Sequence, residues 1–239
     1  MSASRPRTAF WRGFRAALPF SLMVVPFGTI FGVIAIEAGL DLVEAMSMTV
    51  LVIAGASQLT ALQLMMDDAP LWVVVLSALA VNLRMAMYSA ALAPHLGPAP
   101  FWTRACAAYL LFDQTYALSV VDYEDRPADS TAARVAFYFG SATPILPLWL
   151  ISSYAGAVLG TAIPEEFGLE FAVPIMFLAI IGPALRTPAH VAAAFAAIAT
   201  ALTLAFLPWN LWLIAAGLVG MMVGAEVERR TELWKARRA

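Results

Sequence analysis

Two residues in this sequence carry charge where charge is hardest to keep. Arg84 lies in the run Leu79-Ala-Val-Asn82-Leu-Arg84-Met-Ala-Met-Tyr88, and Asp113 in Leu110-Leu-Phe-Asp113-Gln114-Thr-Tyr116. A cation at mid-bilayer costs at least about 2.5–3.5 kcal/mol and snorkels poorly from there, so Arg84 must face protein, water or an anion. A carboxylate so placed is pulled two ways, since loss of water favours the neutral acid and a nearby cation favours the ion. Asp113 can therefore alternate between Arg84 and a proton or a substrate ammonium. The plainer alternative is a permanent ion pair that fixes helix register. Helical spacing puts Ser77, Arg84 and Tyr88 on one face, and Asn82 with Ser89 on another. Being two residues apart, Asn82 and Arg84 point away from each other in a regular helix. Tyr109 and Tyr116 share the face of Asp113.

The remaining polar signals are weaker. Gly55-Ala-Ser57-Gln58 brings small and hydrogen-bonding residues into an apolar run, which more commonly serves helix packing than ligand binding. Pro26-Phe-Gly28 and Pro144-Ile-Leu-Pro147 are the places where a helix can be interrupted, and a broken helix in a membrane offers dipole ends to a charged ligand. Gly217, Gly220 and Gly224 form a packing face. The one cysteine, Cys106, excludes an intramolecular disulfide, and His95 and His190 stand in no metal-ligand spacing, so neither a metal nor a cofactor is implied. Ser57 with His95 or His190 would be needed for a serine hydrolase. Both histidines sit at segment ends next to prolines, out of reach of a mid-membrane nucleophile, so the chain is not read as an enzyme.

These residues must be positioned by apolar helices. The chain of 239 residues is 62% hydrophobic and only 13% charged, with a mean hydropathy of +0.81. That leaves too little polar surface to cover a water-soluble globule, so the fold class is all-α, a polytopic helical membrane protein. Segments long enough to cross about 30 Å of hydrocarbon are 16–38, 43–66, 71–93, 101–121, 135–163, 171–185, 189–207 and 209–225. This gives about eight transmembrane helices, with six or seven as alternatives. The arginines before residue 16 give a signal-like start, but the apolar run that follows is too long for a leader and reads as an uncleaved first helix. The one loop of any size is 122–134, so residues 1–239 read as one membrane domain with basic ends at 1–15 and 226–239.

Eight spans with the N-terminus inside place Arg5, Arg7, Arg12, Arg15, Arg126, Arg134, Arg186, Arg229, Arg230, Lys235, Arg237 and Arg238 on the cytoplasmic side. Arg104 alone falls outside, with Glu37, Asp41, Glu44, Glu165, Glu166 and Glu170. This bias puts both termini in the cytoplasm. A weak internal repeat is also visible: Gly28-Thr-Ile-Phe-Gly32 before Gly39-Leu40 is similar to Gly156-Ala-Val-Leu-Gly160 before Gly168-Leu169.

Taken together, the segments resemble the AzlC family, the YgaZ-like large subunits of two-component branched-chain amino-acid exporters. The resemblance rests on Pro26-Phe-Gly28 with Phe31-Gly32, Gly55-Ala-Ser57-Gln58, Asn82-Leu-Arg84 with Tyr88, Asp113-Gln114-Thr-Tyr116, and Gly168-Leu-Glu-Phe-Ala172 with Pro174, in that order along nearly the whole chain. Met85 and Gln114 depart from a histidine and an acidic residue common in the family. The resemblance implies export of small hydrophobic amino acids from a bacterial plasma (inner) membrane, with a small AzlD-type membrane subunit as partner. The residue reading agrees, because a zwitterion needs a cation, an acceptor for its ammonium and an apolar wall. Arg84 and Asn82 are expected to hold the carboxylate, and Asp113 or Gln58 to meet the ammonium, with a proton exchanged at Asp113 driving antiport. Ser57, Gly28, Tyr88 and Tyr116 complete the expected substrate-binding set. A permease subunit of an ATP-driven transporter and a non-transporting scaffold subunit are the competing classes. The chain has no phosphate-binding glycine loop of its own.

Overall fold

The computed structural model describes residues 4–160, 185, 187–207 and 211–236. The expected span over 171–185 and the Gly168–Ala172 and Pro174 segment lie outside the described residues, apart from Leu185. All regular structure among the described residues is helical: α1 (Pro6–Ala17), a 3-10 turn (Leu18–Phe20), α2 (Ser21–Glu37), α3 (Leu42–Leu51), α4 (Gly55–Met66), α5 (Leu71–Leu96), α6 (Phe101–Tyr109), α7 (Asp113–Asp125), α8 (Thr131–Gly160), α9 (Pro188–Leu204) and α10 (Trp212–Ala236). Three stretches among them are long and apolar enough to cross a membrane, Pro6–Glu37, Leu71–Leu96 and Thr131–Leu159. Large apolar side chains such as Leu22, Leu71, Trp102, Phe195 and Leu202 are exposed along the helices, as a lipid-facing surface requires.

The chain forms two compact units, one of Met1–Leu59 with Val81–Pro164 and one of Thr60–Ala80 with Glu165–Ala239. In the first, α1 and α2 run along α8 with backbones in contact. A Cβ on Gly13 would meet the Phe137 carbonyl, one on Gly140 that of Phe10, one on Gly28 the Ser152 hydroxyl, and one on Gly32 the Ser153 carbonyl. Residue numbers rise together along both partners, so α1–α2 and α8 are parallel. The glycine pattern read as an internal repeat is the two sides of this one crossing, because Gly156 in turn abuts Thr29 of α2. In the second unit, Gly220 and Gly224 of α10 pack on Ala193, Ala197 and Ala189 of α9, while Gly217 has open space around it.

Residue pairs also fix the direction of the other helices in the first unit. Arg84 meets Asp113, Tyr88 stacks on Tyr116, and His95 lies against Tyr123. The α5 and α7 helices are therefore parallel. The Tyr123 hydroxyl donates to the Arg134 carbonyl, and that of Tyr138 to Leu110, so α8 runs opposite to α7. It follows that α2 and the 81–96 part of α5 run in opposite directions, and that α5 ends, and α8 begins, on one side. The α6–α7 segment between them therefore does not cross to the other side.

This corrects the expectation of continuous spans over 43–66 and 101–121. Each is a helical hairpin broken near its middle, at 52–54 and at 110–112. With 10, 12, 9 and 13 residues, α3, α4, α6 and α7 at about 1.5 Å per residue each reach only about half of a 30 Å core. The fold-back at 52–54 is visible locally. Gln58 donates to the Met48 carbonyl at 3.0 Å, whereas ten residues of unbroken helix would separate the two by about 15 Å. The sequence pointed to the prolines instead, yet α2 passes through Pro26 and α8 through Pro144 and Pro147. A proline removes one helix hydrogen bond, which tightly packed membrane helices tolerate.

Capping fits this layout. The α2 helix ends in a Schellman turn, with Leu40 donating to Ala35, Gly39 to Ile36, and Gly39 at φ 86°. The α3 helix then starts on a reciprocal capping box in which the Glu44 amide donates to Asp41 and the Asp41 amide to Glu44, at 2.8 and 2.9 Å.

Candidate functional site at two helix breaks

A chain break inside a membrane leaves amides and carbonyls that something must satisfy. The two breaks here solve this in the same way, with a side chain from the start of the second helix reaching back. At the first, Oε1 of Gln58 accepts from the Ala54 amide at 3.2 Å while Nε2 donates to Met48. At the second, the Thr115 hydroxyl oxygen accepts from the Phe112 amide at 2.9 Å, and the hydroxyl can donate to the Phe112 or Leu110 carbonyls at 3.0 and 3.2 Å. Gln58 and Thr115 are both fully buried. Gln58, named with Asp113 as one of two residues that could meet a substrate ammonium, uses both ends of its amide in these bonds across the break.

The breaks face each other. Tyr109, the last residue of α6, donates its hydroxyl to the Val50 carbonyl near the end of α3 at 2.6 Å. Between them lies a cleft of about 280 Å³, near the lower end of ligand-pocket sizes. Leu51, Val52, Ile53 and Ala54 line it from the first break, Ala108, Tyr109 and Leu111 from the second, and Asn82 and Met85 from α5. The cleft thus has C-terminal helix ends, where carbonyls point outward, beside N-terminal ends, where amides do. The Oδ1 atom of Asn82 is buried there and has no hydrogen-bond partner among the described residues.

Arg84 and Asp113 form the expected pair, Nη1 to Oδ2 at 3.0 Å. The pair is incomplete. Nε of Arg84 and Oδ1 of Asp113 are buried without partners among the described residues, and the Asp113 side chain remains 45% exposed. Tyr88 stacks on Tyr116 at 4.0 Å between ring centroids, and both acidic and basic members of the pair act on its hydroxyl. The structure therefore brings Arg84, Asp113, Tyr88 and Tyr116 together, and places Asn82 around the α5 helix in the neighbouring cleft. Ser57 is buried in the first turn of α4, beside the break. Gly28 stands apart, in the α2–α8 crossing against Ser152 and Trp149.

A second charged group escaped the sequence reading. Arg12 of α1 donates from Nε and Nη2 to both oxygens of Asp122 at 2.7 and 2.9 Å, and from Nη2 to Asp129 at 3.1 Å. The Ser4 amide also donates to Asp129, at 2.7 Å. Burial alone would raise the Asp129 carboxyl, but the hydrogen bonds from Ser4 and Arg12 and the guanidinium charge outweigh it, so the group titrates below its ordinary value. Nothing in the spacing of Arg12, Asp122 and Asp129 signals this cluster, because it depends on α1 packing against the end of α7 and the loop that follows.

Comparison with known proteins agrees with the resemblance. Residues 19–163, which hold both helix breaks and every candidate residue, match the family model described as AzlC protein, and the chain belongs to that family. Inner membrane protein YgaZ of Escherichia coli (strain K12) is 23% identical over 186 residues, 72% of this chain and 71% of its own. An uncharacterized membrane protein of Archaeoglobus fulgidus is 26% identical over 226 residues, 90% of this chain and 93% of its own. One of Helicobacter pylori (strain 26695) is 25% identical over 176 residues, 72% and 75% of the two chains. No solved structure matches. The protein is an integral membrane protein of the AzlC family.

Proposed function

We propose that this chain is the transporting subunit of a secondary exporter for small hydrophobic amino acids of the branched-chain kind, working with a small AzlD-type membrane subunit and driven by inward proton movement. The observation that carries the reading is the cleft where two helix breaks meet, flanked by an ion pair with unused hydrogen-bonding capacity. A zwitterion finds there each group it needs: amides at the starts of α4 and α7, carbonyls at the ends of α3 and α6, and Leu51, Ile53 and Met85 as an apolar wall. Arg84 is the cation for the carboxylate. In the inward-facing state the ionised Asp113 meets the substrate ammonium while Arg84 takes the carboxylate. In the outward-facing state a proton from outside neutralises Asp113, removes the acceptor for the ammonium and expels the substrate, and release of that proton to the cytoplasm restores the pair.

The hairpins also sharpen the orientation. With α6 entering and α7 leaving on one side, Arg104 joins Arg12, Arg126 and Arg134 there, while Glu37, Asp41 and Glu44 lie on the other. We read the arginine side as cytoplasmic.

The test is export of a panel of amino acids from bacteria expressing the chain with and without a small AzlD-type subunit. Cells with both should lose internal valine and its relatives to the medium, and a collapsed proton gradient should stop them. Export that persists without the gradient but follows ATP would overturn the coupling. A panel that is retained equally by all cells would overturn the transport reading.

A further inference from the structure

Between the α5 and α7 helices the polar residues continue well past the substrate cleft. The Arg84–Asp113 pair is the first rung and the Tyr88–Tyr116 stack the second, one turn further along both helices. The last is His95 against Tyr123, 5.1 Å between ring centroids, at the end of α5 on the arginine side. Ser119 lies between the second and last rungs, one turn from each on α7. It is completely buried, its hydroxyl has no partner within hydrogen-bond geometry among the described residues, and it lies near the Tyr123 phenol. That phenol donates to the Arg134 carbonyl, so its oxygen remains free to accept. Nδ1 of His95 is likewise buried and unpartnered. Packing explains stacked tyrosines, but it does not explain two buried polar atoms left without a hydrogen-bond partner among the described residues of an apolar seam.

We infer that the α5–α7 seam is a proton path from Asp113 to the cytoplasmic end at His95, with Ser119 as its middle relay. The inference rests on the proton-coupled reading above. The step balances without a co-reactant. Asp113 gives up its proton and ends as the carboxylate. Each hydroxyl, Tyr88, Tyr116, Ser119 and Tyr123, accepts one proton and passes on its own. His95 takes the last proton on one ring nitrogen and releases one to cytoplasmic water from the other, so no relay group changes charge. The charged and titratable groups around His95 are Glu124 and Tyr123 of α7 and Arg134 of α8. This places a proton-accepting ring in a mixed field at the mouth of the seam.

Inside-out vesicles holding the full chain and its small partner test this with valine as the probe. Two rates are compared, uptake driven by a proton gradient and valine-for-valine exchange, which needs no net proton. In His95→Gln and Ser119→Ala, driven uptake should fall about tenfold or more while exchange stays within about twofold, and Ser119→Thr, which keeps the hydroxyl, should restore driven uptake. Equal driven uptake in wild type and both variants overturns the path but leaves the exporter intact. Parallel loss of both rates, unrescued by threonine, marks a structural role and overturns the path too. Wild-type vesicles that exchange valine but ignore the gradient overturn the proton coupling itself.

Discussion

Two arginine–aspartate groups inside one unit of this protein are built to opposite ends. Around Arg12, both oxygens of Asp122 and one of Asp129 are used, Ser4 takes up the other Asp129 oxygen, and the three side chains are 22%, 10% and 5% exposed. Around Arg84 there is a single 3.0 Å contact, with an idle buried nitrogen, an idle buried oxygen and a carboxylate 45% exposed. A saturated buried cluster has no capacity for a ligand, and losing any member strands the others. An unsaturated pair beside a cleft can exchange one partner for another with little net loss of hydrogen bonds. Charge in a membrane is expensive in both places. The number of unmet hydrogen bonds, more than the charge itself, separates the cluster that holds α1, α7 and the following loop together from the pair that can change hands.

That contrast breaks most visibly at Arg12. Arg12→Ala should destabilise the protein by about 2–4 kcal/mol, somewhat below the cost of stripping a fully buried partner because Arg12 keeps some contact with water. Thermal unfolding in detergent would register this, and export per folded molecule should remain near wild type. At the other pair the effects should be reversed. Arg84→Ala and Asp113→Asn should cost export about ten- to hundredfold, the equivalent of one charge-assisted hydrogen bond of about 1.5–3 kcal/mol, with a smaller loss of stability than Arg12→Ala. The double variant Arg84→Met with Asp113→Leu should fold about as well as wild type and export nothing. If it exported, the pair would be structural and the contrast would vanish.

A smaller effect follows from Asp129. Its folded-state carboxyl titrates below the ordinary value, so its contribution to stability is complete above the unfolded pKa of about 3.9. It is lost as the pH falls through the folded value. Unfolding midpoints measured from pH 7 down to pH 3 should drop more steeply below about pH 4 for wild type than for Asp129→Asn, which forfeits that contribution at every pH. Parallel curves would show that Asp129 is not held by Arg12 and Ser4 in solution.

Arg84 and Asp113 were legible from sequence because the cost of a mid-membrane charge is independent of fold, and the family was legible from the ordered motifs. Chain direction was not. A hairpin of two half-length apolar helices has the composition and length of one full span, so 43–66 and 101–121 read as crossings. The residues that mark the breaks, Gln58 and Thr115, act through bonds to Met48, Ala54, Leu110 and Phe112. Those bonds exist only once the chain has turned. The prolines that did stand out lie in unbroken helices. Periodicity correctly separated Asn82 from Arg84, but only tertiary packing shows that Asn82 faces the cleft and Arg84 faces Asp113.

The central claim is that the substrate sits in the cleft where the two helix breaks meet, and thiol labelling tests it directly. In a Cys106→Ser background, which removes the exposed native thiol, Ala108→Cys places one thiol at the cleft wall. Saturating valine should slow its labelling by a membrane-permeant maleimide, and adding Arg84→Ala should abolish that protection. A labelling rate that valine leaves unchanged, in a variant that still exports valine, would contradict the account.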